Sequence, residues 1–154
     1  MAKVSQKRRI ERVFSRVGDS SIAATEETQT LHTADDAKTL IRILIDGIFY
    51  PIDNALSFAV AGEMLIAVAP GGTDVASAGT ANDLDNDVTL QEITRFPFIA
   101  MQNDTNGIYV DTRVFRDIKA MRKLKKGDIV RAYYIADTAS DIKCKVDIYM
   151  WFKE

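Results

Sequence analysis

The sequence predicts an all-β fold, and three observations predict it. The chain divides into short runs rich in β-branched and aromatic residues, separated by Gly, Pro, Asn, Asp and Ser, as strands and turns are. Nowhere does a strand-like run alternate with a helix-length pattern, and no internal repeat is visible, which excludes a βαβ architecture and a solenoid. The stretch from Met121 to Glu154 then gives a basic approach, a Gly127-Asp128 turn, an apolar run from Ile129 to Ala136, a polar break, and a second apolar run from Ile142 to Phe152. These last two runs read as a hairpin that closes the fold, with the final run tied down by pairing.

A chain of 154 residues is expected to form one domain. At that size about 70% of the unfolded surface is buried, so a core forms without disulfides or metals. The hydrophobic fraction of 47% agrees. With Cys144 as the one cysteine, no intrachain disulfide is possible, which favours an intracellular or virion protein over a small secreted domain. No apolar run approaches the roughly 18 residues of a membrane-spanning helix. The basic N-terminus lacks the apolar segment of a signal peptide. The net charge of −2 hides an asymmetry: residues 1 to 16 hold Lys3, Lys7, Arg8, Arg9, Arg12 and Arg16 against Glu11 alone, so the rest of the chain is acidic. A basic arm on an acidic body implies two surfaces with different partners.

Taken in order, residues 3 to 17 form the arm and fit a short helix. Ile10, Val13, Phe14 and Val17 follow the i, i+3, i+4, i+7 pattern, and Gly18 is a natural stop. The boundaries are therefore 1–18 for a basic arm or helix and 19–154 for the body. Residues 27–34 read as a strand that carries His32. As the only histidine, with no nucleophile in a recognisable context, His32 is expected to be structural. Thr33 to Asp36 resembles a helix cap. In the run 38–50, Leu40, Ile41, Leu44, Ile45 and Ile48 fit a helix, whereas Ile41, Ile43, Ile45 and Phe49 fit one strand face; its β-branched and aromatic content favours the strand.

A strand over 56–69 is expected to break or bend at Gly62. Residues 71–89 form a long polar loop. Its Asp83, Asp85 and Asp87 alternate like the start of a calcium loop, but Val88 and Thr94 stand where glycine and glutamate are required, so a soluble acidic loop is the simpler account, with a calcium ion shared between subunits as the alternative, and no cofactor is implied. Residues 91–101 carry Pro97, which predicts an edge strand or a bulge. Asn106-Gly107 predicts a hairpin into a return strand over 107–116. Strands over 119–124, 128–137 and 142–153 complete a count of about eight, which is the jelly-roll number.

No G-x-S-x-G, C-x-x-C, P-loop or G-x-G-x-x-G motif is present, and no carboxylate pair is marked out by spacing, so the sequence gives no reason to expect an enzyme. The charge-bearing segments are more informative. The six basic residues of the arm suit phosphate neutralisation with counterion release; a frayed solvated terminus or a membrane-surface segment are the alternatives. Arg122, Lys123, Lys125 and Lys126 form a second basic cluster, either a further phosphate patch or a lysine-protected strand edge.

Several stretches carry a resemblance. The Lys7-Arg8-Arg9 arm, Leu31-His-Thr-Ala-Asp-Asp-Ala-Lys-Thr-Leu-Ile-Arg42, Ala67-Val-Ala-Pro-Gly-Gly72, and Asp111-Thr-Arg113 through Leu124-Lys-Lys-Gly-Asp128 together resemble single jelly-roll capsid proteins of small circular single-stranded DNA viruses or satellite-like viruses, as known from environmental sequences. The resemblance implies an eight-stranded antiparallel jelly-roll sandwich and its strand order. It further implies self-assembly into an icosahedral shell in the virion, and sequence-independent binding of viral nucleic acid with no membrane partner. The same Lys-Gly-Asp turn is also similar to that of trimeric C1q/TNF-like heads, which would make the chain a binding module. On the capsid reading, removal of residues 1 to 16 is expected to abolish nucleic-acid uptake and leave the body folded.

Overall fold

The computed structural model describes residues 9–22, 26–51, 60–72, 90–103, 107–136 and 142–154. Nine strands run through them: β1 (Ile10–Ile22), β2 (Glu26–Thr33), β3 (Lys38–Pro51), β4 (Val60–Ala69), β5 (Gln91–Asn103), β6 (Ile108–Val110), β7 (Thr112–Leu124), β8 (Ile129–Ala136) and β9 (Ile142–Lys153). A short 3-10 turn at Pro70–Gly72 follows β4. Sheet I has the order β1-β9-β3-β7 and sheet II the order β2-β8-β4-β5-β6. Every recorded pairing is antiparallel. Because β1, β3, β7 and β9 lie in one sheet and β2, β4, β5 and β8 in the other, the chain crosses repeatedly between layers. That is the winding of a jelly roll, with β6 as a short addition at the edge.

The fold class agrees with the sequence, and several element assignments change. Residues 10–17 are strand, not helix: Ile10 to Gly18 pair residue by residue with Lys153 to Lys145 of β9. The helical spacing of Ile10, Val13, Phe14 and Val17 arises because both faces of β1 carry apolar residues. Val13 and Val17 point into the core, while Ile10 and Phe14 stay exposed. The two last runs are not a hairpin. Strand β8 pairs with β2 and β4, whereas β9 lies between β1 and β3 in the opposite sheet. Thr33 to Asp36 caps no helix; it forms the β2–β3 connection, where the Asp36 Oδ1 accepts a hydrogen bond from Ala37 N at 2.7 Å.

Strand β4 runs through Gly62 without a break, since Gly62 pairs with both Phe98 and Ala136; the irregularity falls at Ile66/Ala67. The return strand expected over 107–116 holds only three pairs, Ile108–Val110 against Met101–Asn103. The chain then leaves for sheet I as one continuous β7, which absorbs the separate strand expected over 119–124. Pro97 does sit in a flank strand, β5, whose outer side is paired, among the described residues, only at Met101–Asn103. Beside Pro97 the Thr112 hydroxyl donates to Ile99 O and accepts from Ile99 N, which closes part of that edge. The Asp83–Asp87 loop lies outside the described residues.

Alternation places the core between the sheets. Sheet I contributes Val17, Leu40, Ile43, Ile45, Phe49, Cys144, Val146, Ile148, Met150 and Phe152; sheet II contributes Leu31, Met64, Ile66, Val68, Phe96, Phe98, Val130 and Ala132. Phe49 stacks on Phe98 with ring centroids 4.3 Å apart and meets Phe96 edge-on at 6.3 Å, so aromatic contacts join the layers at the centre. Gly47 lies in β3 where a Cβ would stand 2.6 Å from both Lys145 O and Val146 Cα, so only glycine lets β3 and β9 approach.

One end of the sandwich is held by polar contacts. Lys38, only 6% exposed, pairs with Asp35 at 2.6 Å and Glu11 at 3.3 Å and lies 5.5 Å from the Phe152 ring centroid. Burial works against its charge, but the hydrogen bonds to Asp35 and Glu11 hold the ammonium above its ordinary pKa. His32 packs on Phe152 with centroids 4.4 Å apart, and burial followed by the nearby Lys38 charge pushes its pKa down. Asp128 joins three loops. Its carboxylate accepts from Gly71 N at 2.9 Å and Lys125 N at 2.8 Å, and its carbonyl accepts from Ala34 N at 2.9 Å. Gly127 precedes it at φ 92, a conformation L side chains rarely adopt.

Two outcomes follow. Gly47→Ala is expected to cost about 1–3 kcal/mol, since the obstructing atoms are backbone; urea unfolding should show a lower midpoint with an unchanged slope. Asp128→Ala is expected to cost about 1–2 kcal/mol by releasing two backbone donors, read as a lower thermal midpoint.

Candidate nucleic-acid interface

The sequence-predicted basic residues divide into five groups. Lys3, Lys7 and Arg8 lie outside the described residues. Arg9 directly precedes β1, and its carbonyl accepts from Glu154 N at 3.3 Å. Arg12, Arg16 and Lys123 fall on the outer face of sheet I. Arg122 turns away from that face to donate to Glu92 O of β5 at 2.8 Å, so it ties the two sheets together. Lys125 and Lys126 are exposed in the β7–β8 turn, immediately beyond Lys123.

The outer face of sheet I is best read as rungs across its four strands, because paired residues of antiparallel strands share a face. The first rung is Ile10, Lys153, Thr39 and Lys123. The second is Arg12, Trp151, Arg42 and Lys119. Phe14, Tyr149, Leu44 and Asp117 make the third, and Arg16, Asp147, Asp46 and Phe115 the fourth. The first two rungs thus bring together Lys153, Lys123, Arg12, Arg42 and Lys119 with no acidic side chain between them. Acids enter only from the third rung onward.

The basic groups are fixed on aromatic rings. Arg42 lies 4.6 Å from the Trp151 ring centroid and is held there by a two-bond pair with Asp117, at 2.8 and 2.7 Å. Arg12 lies 5.3 Å from the Tyr149 centroid. Phe14 meets Tyr149 at 5.1 Å, and Tyr149 meets Trp151 at 6.5 Å. Arg16 sits 5.7 Å from the Phe14 centroid and pairs with Asp147 at 2.6 and 3.1 Å. The Arg42 and Arg16 hydrogen bonds hold the Asp117 and Asp147 carboxyls below their ordinary pKa.

A bulge shapes the end of the face. Ala120 and Met121 of β7 together oppose Ile41 of β3, between the pairs Leu40–Arg122 and Arg42–Lys119. Met121 takes φ 49, the left-handed region unusual for a residue with a side chain. An open groove of about 490 Å³ lies there. Ile10, Ile41 and Met121 supply its apolar floor, with Thr39 beside them, and Arg42, Lys119, Lys123 and Lys153 form the rim. Ile10 and Met121 remain 58% and 59% exposed, so the floor is open to a ligand.

Sequence reasoning named Arg12, Arg16 and Lys123 but missed Arg42, Lys119, Lys153, Tyr149 and Trp151. The alternation of Lys143, Lys145, Asp147, Tyr149, Trp151 and Lys153 along β9 was the available signal, since these positions all fall on the face opposite the buried Cys144 to Phe152 series. No cluster of three or more metal-ligating side chains occurs among the described residues.

Comparisons with known proteins bear on the fold. No family model matches the chain, and no curated protein matches it. Among solved structures, the chain is similar to that of Desmodium yellow mottle tymovirus, at 11% identity over 100% of this chain and 92% of that one, with a TM-score of 0.41. Turnip yellow mosaic virus is similar at 12% identity over 100% and 85%, with a TM-score of 0.43. Dimeric latent PorU from Porphyromonas gingivalis is similar at 8% identity over 96% of this chain but 13% of that one, with a TM-score of 0.51. At these identities the likeness concerns the fold alone.

Acid should loosen this face. Asp117 and Asp147, with pKa values below the ordinary 3.8, contribute stability at pH above that value, and the contribution is lost as pH falls through their folded values. The urea midpoint is therefore expected to fall on acidification below 3.8. Asp117→Asn combined with Asp147→Asn should flatten that dependence.

Proposed function

We propose that this chain is a structural capsid protein of the virion, which self-assembles into an icosahedral shell and binds the packaged genome without reading its sequence. The observation that carries the proposal is the basic end of sheet I, where β1 begins directly after Arg9. Strand β1 starts at Ile10, beside Lys153 in the first rung, so Arg9 enters the sheet at the edge of the cationic rungs. Lys125 and Lys126 lie at the same end, just beyond Lys123. The basic residues of the arm add their charge to that of this face, and phosphate contacts contribute affinity but no base specificity. In the shell this surface faces the genome and the acidic body faces outward.

Contacts between copies need apolar area away from the first two, cationic rungs. Phe115 is 68% exposed and Tyr109 54%, and Ile99 is also exposed. They lie on β7, β6 and β5, the strands at one side of the sandwich. Exposed large apolar residues of this kind suit burial against a second copy in closed symmetry. The same surface would serve a trimeric C1q/TNF-like module, which particle size separates from a shell.

The arm and the sandwich need separate tests. A deletion through residue 16 would remove Val13 and most of the pairing of β1 with β9, so the informative deletion ends at Arg8. The full chain should form uniform closed particles in negative-stain electron microscopy, with a raised 260/280 nm absorbance ratio. The chain lacking residues 1–8 should form particles with a lowered ratio. Equal ratios would remove the arm from the account, and trimers or monomers at every salt concentration would remove the shell. Phe115→Asp should leave a folded protein, judged by circular dichroism, that no longer forms particles.

A further inference from the structure

We infer that the groove on the outer face of sheet I and the aromatic rings beside it, over the first three rungs, are a binding site for single-stranded nucleic acid, with bases stacking on the Trp151–Arg42 and Tyr149 platform while the surrounding cations hold phosphates. The inference rests on the proposed genome-binding role and narrows it to one surface and one form of nucleic acid. The cations alone would attract any polyanion. What narrows the choice is the apolar floor and the aromatic platform among them. A duplex keeps its base faces stacked internally and offers this sheet only phosphates. A single strand offers base faces as well, and stacking on an aromatic ring contributes about 1–3 kcal/mol per base irrespective of sequence.

The geometry suits that chemistry. Asp117 holds the Arg42 guanidinium over Trp151 at 4.6 Å, so a flat delocalised cation stands ready on the sheet. Bases stack on guanidinium planes as they do on aromatic rings. Lys119, Lys123 and Lys153 ring the groove and make no ion pair among the described residues. The Met121 bulge opens the floor at a strained backbone position, and a strained position beside a basic groove is where a binding role is expected. The groove lies on sheet I itself and does not depend on residues 1–8.

Trp151 is the only tryptophan in the chain, so its emission reports on the site directly. Titration of the full chain with oligothymidylate is expected to quench Trp151 emission saturably, with affinity falling as salt rises by a log–log slope of about 0.7 per phosphate held. A blunt duplex of equal length should bind at least about tenfold more weakly, and inorganic polyphosphate should leave the emission unchanged. Lys119→Glu with Lys153→Glu, both on the surface, should keep the melting temperature, weaken oligothymidylate binding at least about tenfold, and lower the salt slope by roughly 1.4. Trp151→Leu, read by anisotropy of labelled oligothymidylate, should weaken binding at low and high salt alike.

Absence of quenching by oligothymidylate would overturn the inference, as would equal affinity for duplex or unaltered binding in the double lysine variant. Quenching by phosphatidylserine vesicles but not by oligothymidylate would assign the face to a membrane and also overturn it. The chain lacking residues 1–8 separates this inference from the wider reading. Retained quenching with nucleic-acid-free particles supports the groove and limits the arm to packaging. Particles that hold nucleic acid while Trp151 stays unquenched overturn the groove and leave the shell standing.

Discussion

The pairing of β9 between β1 and β3 is the constraint on which the rest of the structure depends. A strand from the end of the sequence occupies an interior position of sheet I and pairs on both sides along nearly its whole length. Its even positions from Cys144 to Phe152 supply a full stripe of the core, and its odd positions from Lys145 to Lys153 supply the middle of the outer face. One strand therefore determines both packing and surface chemistry. The close fit at Gly47 shows how little tolerance that position has: β3 can reach β9 only where one side chain is missing.

The same pairing converts sequence-remote residues into neighbours. Arg12, Trp151, Arg42 and Lys119 come from four separate segments, yet they occupy one rung. Their proximity raises the local positive potential without raising the formal charge of the chain, which stays at −2. Asp117 and Asp147, which pair with Arg42 and Arg16, cancel part of that potential. Exposed ion pairs of this sort contribute little to stability, so their main effect here is to orient guanidinium planes on aromatic rings. The polar cluster at Lys38 and the Asp128 staple work differently. They satisfy buried or turn-forming groups at the end of the sandwich where three loops meet.

Much of the fold was legible in the sequence because strand-forming residues and turn residues mark a β sandwich locally. The run from Lys38 to Tyr50 became a strand as its isoleucines predict, and the helix alternative arose from apolar residues on the outer face, such as Leu44 and Ile48. The helical reading of residues 10–17 failed for the same reason, since Phe14 is apolar but faces outward against Tyr149. The partners of the last two strands were not legible, and the expected closing hairpin does not form. Periodicity reports which residues alternate, not which sheet a strand joins, and in a jelly roll consecutive strands commonly belong to opposite layers. The candidate site was half legible: Arg12, Arg16 and Lys123 were visible as charge clusters, whereas Trp151 and Arg42 join them only through register. The hydrogen bond of Arg122 to the Glu92 carbonyl was not legible, because a backbone partner leaves no mark in a charge pattern.

On the proposed function, the outer face of sheet I meets nucleic acid. Ultraviolet cross-linking of the full-length protein to oligothymidylate, with adducts located by peptide mass spectrometry, tests that placement most directly. The predicted result is adducts on Phe14, Tyr149 and Trp151, lost when salt is raised. Adducts confined to sheet II or to the Asp83–Asp87 loop would contradict it.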